Sequence, residues 1–218
     1  FHENAFNLMT KAFTQNQTIL ISGGNSIKHI LNKKKNKITI SKNKTIILSD
    51  ERLYFKINDV RTNYSNLKKN LFTSIMFLKL KFIYFNLGQH YEIMAEKFFK
   101  EIKYVTPEAA ILSLGSDGHI CSIFKDSENI NLNKYIDVVM PSNKINRVTL
   151  NIKFLEKIKK IYLIVNGSNK GHVLNNIING KKSNFPLKLS KKIIFVLDKA
   201  AFQKMKKNKD KICLKNQL

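Results

Sequence analysis

The chain has 218 residues, 43% hydrophobic and 25% charged, and its 39 Lys+Arg against 15 Asp+Glu give a formal net charge of +24. That composition fits a soluble globular protein and excludes a disordered, collagen-like or disulfide-framework chain. No apolar run approaches the roughly 18 residues that a spanning helix needs, because stretches such as Ile75–Phe85 are cut by Lys79 and Lys81.

The start, Phe1–Phe13, is amphipathic. It lacks the basic-then-apolar order of a signal peptide and an initiator Met, which leaves truncation of the start open. Beyond it, apolar β-branched runs predict strands over Thr18–Ser22, Lys44–Asp50, Phe82–Asn86, Ala109–Gly115, Val138–Met140, Lys160–Gly167 and Lys192–Asp198. Helix-period stretches separate them: Ser26–Lys35, Asn63–Phe72, Tyr91–Tyr104, Asn151–Lys159, Ser168–Ile178 and Lys199–Asn208, several opened by Asn, Asp or Ser at capping positions. Strands this uniformly apolar are buried on both faces, and strand–helix alternation implies a mostly parallel sheet between two helix layers. Neither a repeat nor a Pro/Gly/Ser linker interrupts the pattern. The expectation is one three-layer α/β domain over residues 1–218.

Ligands of such sheets bind beyond the carboxyl ends of the strands. The first strand runs into Ser22-Gly23-Gly24-Asn25-Ser26, either a plain tight turn or a cradle of amides that holds phosphate at a helix N-terminus. After the second comes Asp50-Glu51-Arg52, either a surface turn or one carboxylate and the guanidinium facing a cleft. Ala109–Gly115 leads to Ser116-Asp117-Gly118-His119, which places an imidazole two residues from a carboxylate; the residue types suit a general base with an orienting acid, although a lone His is usually structural. Arg147 opens a short strand, Arg147–Leu150, and Lys170 starts a helix after Asn166-Gly167. Two such cations suit a phosphate monoester.

The charge itself carries less information. Three of the 39 basic residues are arginine (Arg52, Arg61 and Arg147) and the rest are lysine, whereas specific phosphate or base recognition recruits the guanidinium fork. Lysine runs such as Lys33–Lys37 and Lys204–Lys211 read as solvated faces, so no specific nucleic-acid partner is expected. Cys121 and Cys213 form no framework, no Cys/His cluster has zinc spacing, and a reducing cytoplasm fits best.

Taken in order, these pieces resemble the 6-phosphogluconolactonase family, within the group that also holds glucosamine-6-phosphate isomerases. The likeness spans about Thr18 to Ala201. The family's Ser-Gly-Gly-Ser-Thr-Pro is similar to Ser22–Ile27, with Asn25, Ser26 and Ile27 departing. Its Asp-Glu-Arg is met by Asp50–Arg52, its Ser-Asn by Thr62-Asn63, and its Gly-x-Asp-Gly-His-x-Ala-Ser-Leu-Phe by Gly115–Phe124, with Cys121 and Ile123 in place of Ala and Leu. Arg147–Leu150, Gly167–Gly171 and Asp198–Ala201 resemble its Arg-Ile-Thr-Leu, Gly-x-x-Lys-Ala and Asp-x-Ala-Ala. The isomerases carry a carboxylate five residues after the His and usually an aromatic after Asp-Glu; Phe124 and Arg52 at those places favour the lactonase branch.

The resemblance implies a Rossmann-like fold of the sugar-phosphate isomerase/lactonase type and cleavage of 6-phospho-D-glucono-1,5-lactone in the oxidative pentose phosphate pathway. It implies His119 as base, oriented by Asp117. Arg52 would stabilise the oxyanion, with Asp50 shaping the sugar pocket. Ser22, Gly23, Gly24, Asn25, Ser26, Arg147 and Lys170 would hold the 6-phosphate. It implies no metal or organic cofactor, and the chain is expected to act as a monomer or weak homo-oligomer. Cys121, standing where the family has Ala, reads as small-residue packing. His2, His29, His90 and His172 lack a carboxylate partner in the pattern and receive no role. Two alternatives stay open, a glucosamine-6-phosphate isomerase and a non-catalytic nucleic-acid binder.

Overall fold

The computed structural model describes residues 2–33, 43–54, 56–71, 80–124, 134–141, 145–181 and 185–205. The lysine runs, Cys213, and the predicted helix ends at Lys35, Phe72 and Asn208 lie at least partly outside these residues.

Six parallel strands form the central sheet: β1 (Thr18–Ile21), β2 (Thr45–Leu48), β4 (Lys81–Ile83), β5 (Ala109–Ser113), β8 (Lys160–Val165) and β9 (Ile193–Leu197), in the order β4-β2-β1-β5-β8-β9. The inner strands β1 and β5 bury Ile19, Leu20, Ile21, Ala110, Ile111 and Leu112 completely or nearly so, as near-continuous apolar runs require when helices cover both faces. Those helices include α1 (His2–Gln15), α2 (Asn25–Lys33), α3 (Asn63–Asn70), α4 (Tyr91–Ile102), α6 (Ser168–Ile178) and α7 (Lys199–Lys204). The amphipathic start is α1, whose Ala5, Met9, Ala12 and Phe13 form one buried stripe at helical spacing. Phe85 stacks on Phe98 of α4 at 3.8 Å between centroids.

A second sheet departs from the sequence expectation. Asp50–Arg52, expected as a turn or cleft segment after the Lys44–Asp50 strand, forms its own strand β3. It pairs antiparallel with β7 (Arg147–Leu150), which pairs with β6 (Ile136–Val139), the run predicted over Val138–Met140. The chain turns out of the main sheet after Leu48, and the main sheet's hydrogen bonding ends there as Ser49 N donates to the Ile21 carbonyl at 2.9 Å. Polar residues could not continue between two helix layers without leaving backbone and side-chain groups unsatisfied. A single helical turn, α5 (Ile152–Leu155), follows β7, capped by Asn151. Among the described residues no helix is long and apolar enough to cross a membrane.

Candidate active site

The turn after β1 is shaped by a close approach. A Cβ on Gly23 would lie 2.5 Å from Asn63 Cβ and 2.6 Å from the Asn63 carbonyl oxygen, so only glycine lets the turn pass α3. Asn66 Nδ2 adds a bond to the Gly23 carbonyl at 3.3 Å. Ser26 is buried and its Oγ accepts from Lys170 Nζ at 2.7 Å, which brings Lys170 to the turn across 144 residues. Burial lowers the Lys170 pKa and the Asp198 charge opposes that shift. Of the departures from the family turn, Ile27 is core and Asn25 is exposed. Ser22 is buried, with an Oγ that has no hydrogen-bond partner among the described residues.

Strand β3 supplies three different side chains. Asp50 is buried; its carboxylate accepts from Ser49 Oγ at 2.5 Å, Ser122 Oγ at 2.7 Å and Asn63 Nδ2 at 3.3 Å. Those bonds make it an internal tie between β3, α3 and the loop after β5. Glu51, assigned no role above, is fully buried and accepts from the first turn of α3, where Thr62 is the N-cap. Arg52 Nη1 donates to the Arg61 carbonyl at 2.7 Å.

Arg52 and Arg147 are directly paired in the β3–β7 register. Burial first, then the Arg52 charge, hold the Arg147 pKa below the ordinary arginine range, while Asp50 pulls the other way. Its Nη1 is buried without a hydrogen-bond partner among the described residues. Adjacent guanidiniums with an unused N–H are an arrangement completed by an anion. Both line a cavity of about 320 Å³ with Asn25, Lys28, Tyr54, Val60, Arg61 and Asn66. Four of these eight side chains are cationic and none is acidic, although Arg61 is held by Asp59 at 2.6 Å. Lys28 and Asn66 were missed in the sequence. Asn66 follows Asn63 at i,i+3 on one helix face, the available signal; one more lysine among so many gave none.

After β5, the chain folds back at Gly115–His119, where Gly115 N donates to the His119 carbonyl at 2.8 Å and Gly118 takes φ +93°. His119 Nδ1 is hydrogen-bonded to Asp117 Oδ1. With Nδ1 carrying the proton toward the carboxylate, Nε2 is left as the acceptor. Gly115 makes the room: a Cβ there would lie 2.2 Å from the imidazole. The Phe124 ring packs on the imidazole at 4.4 Å between centroids. Cys121 is buried at φ +53°; burial and the Asp50 charge raise its thiol pKa, which does not suit a nucleophile.

His119, Asp117 and Lys170 do not line the cationic cavity, but the loop carrying His119 is fastened to its wall. Ser122 Oγ donates to Asp50 on β3, and Ser122 N donates to Thr149 Oγ1 on β7 at 3.1 Å. A larger groove of about 650 Å³ lies between α4 and β6 and contains none of the predicted site residues. His90, given no partner in the sequence, stands at the N-cap of α4 and lies 3.8 Å from Glu92 two residues on, an exposed pair.

A 6-phosphogluconolactonase of Thermotoga maritima is 31% identical over 135 residues, 60% of this chain and 60% of that protein. The chain thus spans about 60% of the length of that relative. The crystal structure of a 6-phosphogluconolactonase from Thermotoga maritima superposes with a TM-score of 0.71 at 22% identity, covering 90% of this chain and 92% of the other. A monomeric glucosamine-6-phosphate deaminase gives 0.69 at 14% identity, covering 94% and 95%. These likenesses show a shared fold. The family profile described as glucosamine-6-phosphate isomerases/6-phosphogluconolactonase matches residues 3–194, so the chain belongs to that family.

Proposed function

We propose that the chain hydrolyses 6-phospho-D-glucono-1,5-lactone to 6-phospho-D-gluconate, the step that serves the oxidative pentose phosphate pathway. One observation carries this reading: an Asp117-oriented imidazole stands on a loop that Ser122 ties to the strand pair bearing Arg52 and Arg147. His119 Nε2 removes a proton from a water as its oxygen bonds to C1. Arg52 faces the negative charge gathering on the carbonyl oxygen. The C1–ring oxygen bond then breaks, and the proton on His119 passes to the ring oxygen. Base and acid duty by one imidazole contributes typically 10²–10⁴-fold.

At the other end of the substrate, Arg147, Lys170 and the Ser22–Ser26 turn hold the 6-phosphate. Binding there restricts the carbonyl to the base, so its loss lowers rate as well as affinity. Asp50, by its bonds, holds the walls together. The isomerase alternative is disfavoured by Phe124, an apolar ring in contact with the imidazole at the place where that branch has a carboxylate. We assign the chain to the reducing cytoplasm, where the buried free Cys121 stays reduced.

The test is background-corrected hydrolysis of fresh lactone by the wild type and His119→Ala, with glucosamine 6-phosphate run alongside. The variant is expected near the spontaneous rate. Retention of more than about a tenth of the activity removes His119 from the base role, and ammonia release from the amino sugar moves the chain to the isomerase branch.

A further inference from the structure

Glu51 is the one acid of the Asp50–Arg52 strand that the proposed hydrolysis leaves without a task. Its side chain is fully buried, and its carboxylate accepts three backbone N–H groups: Arg52 N and Asn63 N on Oε1, both at 2.7 Å, and Tyr64 N on Oε2 at 2.8 Å. Desolvating an acid is costly, and burial pushes this one up to about 7 against the pull of those three bonds. Thr62 already caps α3 by accepting from Ser65 N, so helix capping alone does not account for a second, buried acceptor at the same end.

The three bonds join two pieces of chain, β3 and the first turn of α3. Arg52 depends on both pieces. Its backbone belongs to β3, while its Nη1 donates to the carbonyl of Arg61, the residue before the α3 cap. We propose that Glu51 is a positioning residue for Arg52: by clamping the start of α3 to β3 it fixes the separation between the Arg52 backbone and the Arg61 carbonyl, and so aims the guanidinium. The catalytic consequence rests on the lactonase reading; the positional claim does not.

Glu51→Gln keeps the length and volume but turns an NH₂ toward at least one N–H that needs an acceptor. The chain contains three arginines, so their Nε–Hε signals can be assigned by single Arg→Lys changes and followed by NMR in the full chain. Glu51→Gln is expected to displace or broaden the Arg52 signal. It should lower kcat about tenfold or more with KM within about threefold, and add less than about twofold to the loss already caused by Arg52→Lys. An unmoved Arg52 signal in a folded variant, or losses that multiply in full, overturns the proposal and leaves Glu51 a helix clamp only. If Glu51→Gln does not fold, Glu51→Asp, which withdraws the carboxylate by one methylene, is read in the same way. A wild type without lactonase activity sinks the hydrolase reading alone, because the Arg52 signal still decides the positional claim.

Discussion

Arg52 and Arg147 stand directly opposite each other in the β3–β7 ladder, and among the described residues no acid lines the cavity they share. Like charges facing each other destabilise a strand pair. Burial first, then the Arg52 charge, depress the Arg147 pKa, and its buried Nη1 has no hydrogen-bond partner among the described residues. A dianion held by Arg147 would offset the repulsion, because its negative charge stands beside both guanidiniums and gives the free Arg147 N–H a charge-assisted bond.

Phosphate should therefore stabilise the wild type. An anion present at 100 times its dissociation constant adds about 2.7 kcal/mol, which raises the melting temperature measurably. Arg147→Met removes the repulsion along with the binding group. It should melt at or above the wild type without phosphate and gain little when phosphate is added. Thermal scans of both proteins with and without phosphate decide this; an equal phosphate shift in the two would place the anion elsewhere.

Gly115 sets the position of the proposed base. Alanine there brings a methyl to 2.2 Å from the His119 ring and 2.8 Å from Asp117 Oδ1. Neither neighbour is free to retreat without breaking the Nδ1 bond to Asp117. Gly115→Ala is expected to fold and to lose about 10²-fold or more in kcat, the scale of general base catalysis. Steady-state hydrolysis with a melting curve as the folding control checks it, and near-normal kcat would show that the imidazole does not act from this place.

The central sheet was legible because parallel strands buried on both faces leave continuous apolar runs, as Ile19–Ile21 and Ala109–Leu112 do. In the second sheet β7 and part of β6 were legible as strands but β3 was not, since Asp50-Glu51-Arg52 has none of the apolar content of a strand; it extends because Ser49, Asn63 and Ser122 satisfy the Asp50 carboxylate and β7 its backbone. His119 and Asp117 were readable from their spacing. Lys28 and Asn66 were not, because their place in the cavity comes from the crossing of α2 and α3 past the Gly23 turn, a tertiary fact of which the i,i+3 spacing of Asn66 from Asn63 was the one local trace.

Gly171 departs from the alanine of the family pattern, and the packing explains it. A Cβ at this position would lie 2.4 Å from the Ala201 carbonyl oxygen and 2.7 Å from its Cα, so α6 and α7 approach backbone to backbone. Alanine gains about 1 kcal/mol of helix propensity, while overpacking costs typically 1–3 kcal/mol. Contact with a backbone rather than a flexible side chain puts the cost toward the upper end. Gly171→Ala should lower stability by roughly 1–2 kcal/mol in urea unfolding, and a net gain would mean that the two helices separate freely.

Glu51 also couples stability to pH, with a sign opposite to that of most carboxylates. Its folded pKa is about 7 against an ordinary 4.5, raised chiefly by burial. Between those values the folded chain holds a proton that the unfolded chain has released, so stability declines as pH rises. The contribution is complete below about pH 4.5 and gone above about pH 7, a total on the order of 3 kcal/mol. Glu51→Gln lacks the titrating group. Its stability relative to wild type should therefore improve steadily from pH 5 to pH 8, whatever offset its altered hydrogen bonds impose. Urea unfolding of both proteins at pH 5, 6, 7 and 8 measures the difference directly. A constant gap across the range would mean that Glu51 stays ionised throughout, and that its three backbone donors outweigh desolvation.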